Sequence, residues 1–183
     1  MTLNIIHLAH RKDRWDLLQE TLSAQKIDDW RIWPGEVDHE SARRGICRSH
    51  KQIISFAKEQ HQAHVLVAED DVYFTAPGAF TYFMDHMPDD FDMYLGGITW
   101  GKLMDDQTVQ DFAGITLYVM HEQFYDKFLA LDEEKDADRA LAGLGRFVVC
   151  EPMVACQQSG YSDNQKKYLD FGPLLRAKKW FTG

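Results

Sequence analysis

No stretch of the 183-residue sequence approaches the roughly 18 consecutive apolar residues that suggest a membrane-spanning helix, so none is expected. Cysteine is scarce as well. Cys47, Cys150 and Cys156 are odd in number and form no CxxC pair, which argues against a disulfide framework and a zinc ribbon and fits a reducing compartment. Positive charge is in deficit: 20 Lys and Arg face 29 Asp and Glu, for a formal net charge of -9. That field repels polyphosphate backbones and anionic membrane surfaces, so nucleic acid is not an expected partner. An anionic substrate has to be captured locally, by a cation or by a few placed Arg and Lys side chains. Internal repeats, low-complexity tracts and Ser/Gly-rich linkers are absent. The apolar start, Leu3 to Leu8, is interrupted by Asn4 and His7 and followed by Arg11, Lys12 and Arg14, which reverses the charge order of a secretory leader. The expectation is one cytoplasmic domain over 1–183, with 45% apolar residues sufficient for a continuous core.

What is present alternates between strand-like and helix-like patterns. Asn4 to Ala9 reads as a buried strand, and Arg14 to Ala24, with Trp15, Leu18 and Leu22 at helical spacing, as the helix after it. A short segment at Trp30 to Trp33 stops at Pro34-Gly35, and a helix follows from about Ser41 or Ile46 to Gln60. His64 to Ala68 is a Val-rich run suited to a strand covered on both faces. Pro77 is expected to open a helix whose stripe is Phe80, Met84 and Met87. Asp92 to Leu95, Ile115 to Met120 and Phe147 to Cys150 read as further strands, with a helix at Gln123 to Leu131. Such alternation predicts an α/β sandwich with a mostly parallel central sheet flanked by helices, because parallel neighbours need a helical crossover.

Glu69, Asp70 and Asp71 follow the Val-rich run directly, and ligands of open α/β sheets bind beyond the carboxyl ends of strands. Three adjacent carboxylates repel one another, more so beside a buried strand, unless a cation or hydrogen-bond donors compensate. Mg²⁺ or Mn²⁺ suits carboxylate oxygens and is usually shared with substrate phosphates. The residues alone leave this reading balanced against an acidic strand end that faces solvent. His50 falls on the apolar stripe Ile46, His50, Ile53, Ala57, where a histidine is more often a hydrogen-bonded core residue than a ligand. Ser49 beside it suits either a helix cap or a phosphate contact. Arg11, Lys12 and Arg14 cluster after the first strand, where arginine can grip phosphate, and the alternative is a solvated helix start. His61 and His64 read as a solvated pair. Trp30, Trp33, Tyr73, Phe74 and Trp100 are candidates for stacking on sugars or for ordinary packing, and Lys178 to Phe181 reads as a solvated tail.

Taken in order, Asn4-Ile5-Ile6-His7-Leu8 with Arg11-Lys12-Asp13-Arg14, Gly45-Ile46-Cys47-Arg48-Ser49-His50, and Val65 to Ala68 with Glu69-Asp70-Asp71-Val72 resemble glycosyltransferase family 25. That family includes lipooligosaccharide and collagen galactosyltransferases. Weaker likeness runs on through Leu95-Gly96-Gly97, the strand holding Tyr118, Asp138-Arg139-Ala140-Leu141 and Gln157 to Asp163, so most of the chain, short for the family, is touched. The resemblance implies a GT-A-like nucleotide-binding fold. It also implies a metal-dependent enzyme that moves a sugar, galactose in the named members, from a UDP-sugar to a glycan or lipid-linked hydroxyl with inversion, as in lipopolysaccharide synthesis. By the same resemblance Asp71 and Glu69 would hold Mn²⁺ or Mg²⁺, and Arg11, Arg14, Ser49 and Glu69 would lie against the donor. Asp138 and Asp70 would be the catalytic carboxylates, with Asp138 as acceptor-binding residue or general base; a plain helix N-cap is its other reading. Two further functions stay open: a metal-dependent phosphohydrolase or nucleotidyltransferase using the same acids, and a non-catalytic module that binds glycans or proteins.

Overall fold

Alternation along the central strands sorts the apolar side chains into two layers. A computed structural model describes residues 1–183. In chain order its elements are β1 (Leu3–His7), α1 (Lys12–Ala24), β2 (Trp30–Pro34), α2 (Ala42–Glu59), β3 (His64–Glu69), β4 (Val72–Phe74), α3 (Ala79–Asp85), β5 (Met93–Leu95), β6 (Trp100–Gly101), β7 (Thr108–Val109), β8 (Phe112–Ala113) and β9 (Leu117–His121). A 3-10 turn (Glu122–Phe124) leads into α4 (Tyr125–Leu129), followed by α5 (Ala137–Ala140), β10 (Phe147–Val149), β11 (Ala155–Gln157), β12 (Gly160–Ser162), β13 (Lys167–Leu169) and α6 (Gly172–Ala177). Val65 and Val67 of β3 join one apolar cluster with Cys47, Ile53 and Ala57 of α2 and Phe128 of α4. Leu66 and Ala68 of the same strand join the other, with Leu18 and Leu22 of α1 and Phe83 of α3. A strand buried on both faces needs this uninterrupted apolar run, and each buried Val or Leu in it contributes roughly 1.5–3 kcal/mol of transfer free energy.

The seven-stranded sheet has the order β2-β1-β3-β9-β5-β10-β7. β2, β1, β3, β5 and β10 run one way, while β9 lies antiparallel between β3 and β5, and β7 opposes β10. The sheet is therefore mixed, and half of its adjacent pairings are antiparallel. β1 leads through α1, on one face, to β2; β2 leads through α2, on the other face, to β3 on the far side of β1. The connections thus diverge between the carboxyl ends of β1 and β3, where α/β sheets open a ligand crevice. His7 ends one of these strands and Glu69 the other.

Local details depart from the sequence pattern in three places. The helix expected from Pro77 starts at Ala79, after Gly78 in a left-handed turn (φ 80°), and its buried residues are Ala79 and Phe83. Phe80, Met84 and Met87 only flank the core. The helix expected at Gln123 to Leu131 is split into the 3-10 turn and α4. Lys178 to Phe181 is docked rather than solvated: Phe181 N donates to Met153 O (2.8 Å), and Trp180 and Phe181 pack against the two apolar clusters. All three cysteines are buried and unpaired. No helix is long and apolar enough to cross a membrane.

Candidate functional site

β3 delivers its acids to the crevice in three directions. Asp70 turns toward β1: Oδ2 lies 2.8 Å from His7 Nδ1 and accepts from Leu8 N (3.3 Å), while Oδ1 accepts from Arg14 Nη1 (2.7 Å). Both of its oxygens are engaged, so Asp70 clasps the two strands and holds Arg14. Asp71 Oδ2 pairs with the same guanidinium at 3.2 Å. Its Oδ1 is buried and has no hydrogen-bond partner at all. Glu69 turns toward α2, where its Oε1 lies 3.2 Å from His50 Nε2, and His50 Nδ1 lies 3.0 Å from the Tyr118 hydroxyl.

The electrostatics follow from these partners. Burial, reinforced by the charge of Glu69, pushes the Asp71 carboxyl up to about 7, against the pull of Arg14. Burial also opposes ionisation of Glu69, but the His50 hydrogen bond and charge, with Arg14 and Gln157, outweigh it and leave its pKa lowered. Arg14 is held charged by Asp71 and Asp70 in spite of its own burial. The orphaned oxygen and raised pKa of Asp71 are what an anionic ligand atom shows where the structure supplies no cation. Oxygen chemistry at this position suits Mg²⁺ or Mn²⁺. No group of three His, Cys, Asp or Glu side chains converges as a closed metal cage. The residues thus fit a hard ion held by Asp71, with Glu69 adjacent, and completed by oxygens from a ligand.

A roof covers this point. The β12–β13 hairpin and the start of α6 border a small cavity of about 20 Å³ lined by Arg14, Asp71, Gln157, Tyr161, Leu169 and Phe171. That holds one water or ion, which needs on the order of 10–15 Å³. Gln158 N donates to Asp71 O (2.7 Å), Arg14 Nη2 to Tyr161 O (3.3 Å), and Arg11 Nη1 to Tyr161 O (3.1 Å) and Asp163 Oδ2 (2.7 Å). Arg11 is also bidentate to Asp13. Arg11 therefore fastens the roof rather than facing the acids, whereas Arg14 reaches both.

Asp138 arrives from the other side. Glu69 N donates to Thr116 O (2.9 Å), and two residues upstream Gly114 N donates to Asp138 Oδ2 (2.8 Å), so the segment before β9 ties α5 to the end of β3. Asp138 lies close enough for the Glu69 charge to raise its pKa, although burial is the larger cause. The N-cap of α5 is Asp136, so Asp138 is not the cap. Ser49 stands apart from the crevice: its hydroxyl donates to Gly45 O (2.7 Å) and accepts from Glu36 N (2.7 Å), shaping the β2–α2 loop. His64 opens β3 at the opposite edge, stacked on Phe91 and edge-on to His121. Sequence reasoning missed His7 and Gln157 as partners of the acids. His7 carried one signal, as the last residue of a buried strand; Gln157 lay in a segment of weaker family likeness, but its place beside the acids emerges only with the pairing of β11 and β4.

No family profile and no curated protein matches the chain. Among solved structures, the chain is similar to a glycosyltransferase involved in the glycosylation of the major capsid of PBCV-1, with 13% identity over 83% of each chain and a TM-score of 0.47. It is also similar to HddC from Yersinia pseudotuberculosis complexed with GMP-PN, with 11% identity over 82% of this chain and 90% of that one and a TM-score of 0.44. A structure described as mannose-1-phosphate geranyltransferase from Thermus thermophilus gives 11% identity, 81% and 73% coverage and a TM-score of 0.43.

Proposed function

We propose that the chain is a metal-dependent glycosyltransferase, a single catalytic domain that moves a sugar from a UDP-sugar of the cytoplasmic pool to a hydroxyl of a glycan or lipid-linked acceptor, with inversion. The observation that carries this reading is Asp71 Oδ1, a buried carboxylate oxygen with no donor, at the carboxyl end of β3 beside an arginine. A carboxylate for a cation and a guanidinium for phosphate oxygens, side by side, are the two devices by which an acidic protein can hold a diphosphate. The ordered sequence motifs support the choice of a sugar nucleotide.

Each residue has a distinct task on this reading. Asp71 holds the cation, Glu69 stands next to it with its orientation set by His50, and Arg14 is released from Tyr161 O to the phosphates. Asp70 keeps Arg14 and β1 in register. Asp138, its pKa raised by burial, takes the proton from the acceptor hydroxyl as that oxygen attacks the anomeric carbon opposite the leaving group. Mg²⁺ or Mn²⁺, when held there by Asp71, would supply positive charge against that developing on the diphosphate leaving group. Arg11 and the hairpin close behind the donor.

A screen of UDP-sugars with Mn²⁺, scored separately for transfer to saccharide acceptors and for hydrolysis, tests the class. Glycosylated product from one donor is expected. Release of inorganic or sugar phosphate with no glycosylated product from any donor points to phosphoryl chemistry on the same acids and rejects the transferase.

A further inference from the structure

The row of carboxylates does not end at Asp138. β6 and β8 pair antiparallel with Trp100 opposite Ala113, and the next residue, Gly114, gives its N–H to Asp138. Trp100 is 55% exposed, large for an indole. It is nevertheless held: the Arg139 guanidinium lies 4.5 Å from the ring centroid, and Arg139 is itself fixed by Asp111 through Nη1–Oδ1 (2.7 Å) and Nη2–Oδ2 (3.1 Å). The strand beneath is pinned as well, since Thr99 N (2.7 Å) and Thr99 Oγ1 (3.0 Å) both donate to Ala113 O. The indole N–H groups that donate within the protein are those of Trp33 and Trp180, which leaves those of Trp15, Trp30 and Trp100 free, and Trp100 is the most exposed of the three.

A rigid aromatic plane, more than half exposed, with a guanidinium over the ring and a spare N–H at its edge, suits a pyranose ring, which presents an apolar C–H face and peripheral hydroxyls. The neighbouring charge selects among sugars. Asp111 neutralises Arg139, and Asp138 and Glu69 lie toward the crevice, so the surroundings oppose a uronate or other acidic sugar. We propose that Trp100 is the stacking platform for a neutral pyranoside of the acceptor, beside Asp138, a subsite that rests on the transferase reading above. It places donor and acceptor at opposite ends of the acid row, with Arg14 at one end and Trp100 at the other.

Indole resonances of ¹⁵N-labelled protein, titrated with methyl β-D-galactopyranoside and with methyl β-D-glucuronide as the acidic control, test the subsite directly. The Trp100 signal, assigned by its loss in Trp100→Ala, is expected to move saturably with the galactoside and not with the glucuronide, while the remaining indoles stay in place. Binding to Trp100→Ala, followed through backbone amide signals, is expected to be about tenfold weaker, and Trp100→Phe to recover part of the loss. A galactoside that moves no indole, moves a different one, or binds Trp100→Ala as tightly as wild type overturns the subsite. Thermal shift of the wild-type protein with UDP and Mn²⁺, read in parallel, separates the two failures. Stabilisation by UDP and Mn²⁺ with Trp100 unmoved removes the subsite and leaves the transferase, whereas a moving Trp100 without that stabilisation keeps a glycan platform and removes the transferase.

Discussion

At Asp71 three unfavourable conditions meet: burial, the charge of Glu69 and an oxygen without a donor. With its pKa pushed up to about 7, the folded protein keeps a proton that the unfolded chain releases near pH 4. The favourable contribution of that proton is complete below about pH 4 and is lost as pH rises through about 7. Asp71→Asn, which cannot ionise, should match wild type in cation-free urea unfolding at acid pH and exceed it at pH 8 by roughly 1–3 kcal/mol. A variant less stable than wild type at pH 8 contradicts this. At Asp138 an asparagine can still accept from Gly114 N but cannot take a proton. Asp138→Asn is therefore expected to keep the fold and the donor affinity while kcat falls by about 10²–10⁴-fold, read in steady-state transfer assays. The acid run and Arg14 were legible as residue types at a strand end. Their directions were not, because the choice of partner for each carboxylate depends on His7, His50 and Gln157, which lie far apart in sequence and meet only in the fold.

Elements set who can reach the site. The β12–β13 hairpin is a small two-stranded unit held over Asp71 largely by Arg11 and Arg14, and isolated hairpins of this size are marginal in water. Removing one anchor in Arg11→Ala is expected to raise amide hydrogen exchange across 158–171 by tenfold or more while β1 and β3 keep their protection. Unchanged exchange there would show that the arginine does not fasten the roof. Gly45 lies in the first turns of α2, against the β2–α2 loop, where an added Cβ would stand 2.4 Å from Glu36 O, backbone that cannot yield as a side-chain tip could. Gly45→Ala should lower stability by about 1–3 kcal/mol, seen as a reduced denaturation midpoint with unchanged slope. The long periodic elements, α1, α2, β1 and β3, were readable because a run of apolar positions at one period fixes both type and burial. The short β4, β6 to β8 and β11 to β13 pair through two or three residues each, too few for a period to emerge. Among them are β12 and β13 of the roof and β6 and β8 of the Trp100 platform.

The whole molecule is an acidic α/β sandwich whose connections diverge between β1 and β3, and the buried Arg11, His50, Asp70, Asp71 and Thr116 lie at or beside that opening. Alternation of strands and helices forecast the layers. It did not forecast that β9 runs backwards between β3 and β5, since a strand buried on both faces carries the same apolar run in either direction. That reversal matters for function, because it brings the segment before β9, and with it Asp138, to the same edge as Glu69. A net charge of -9 makes capture of a free dianion unfavourable without local compensation. The two proposed compensators are a cation at Asp71 and the guanidinium of Arg14. Isothermal titration of UDP into the wild-type protein and into Asp71→Asn, each with and without Mn²⁺, reads that claim most directly. Binding that requires Mn²⁺ in wild type and disappears in the variant is the predicted result, and UDP binding of equal strength with and without the ion, or preserved in the variant, would contradict it.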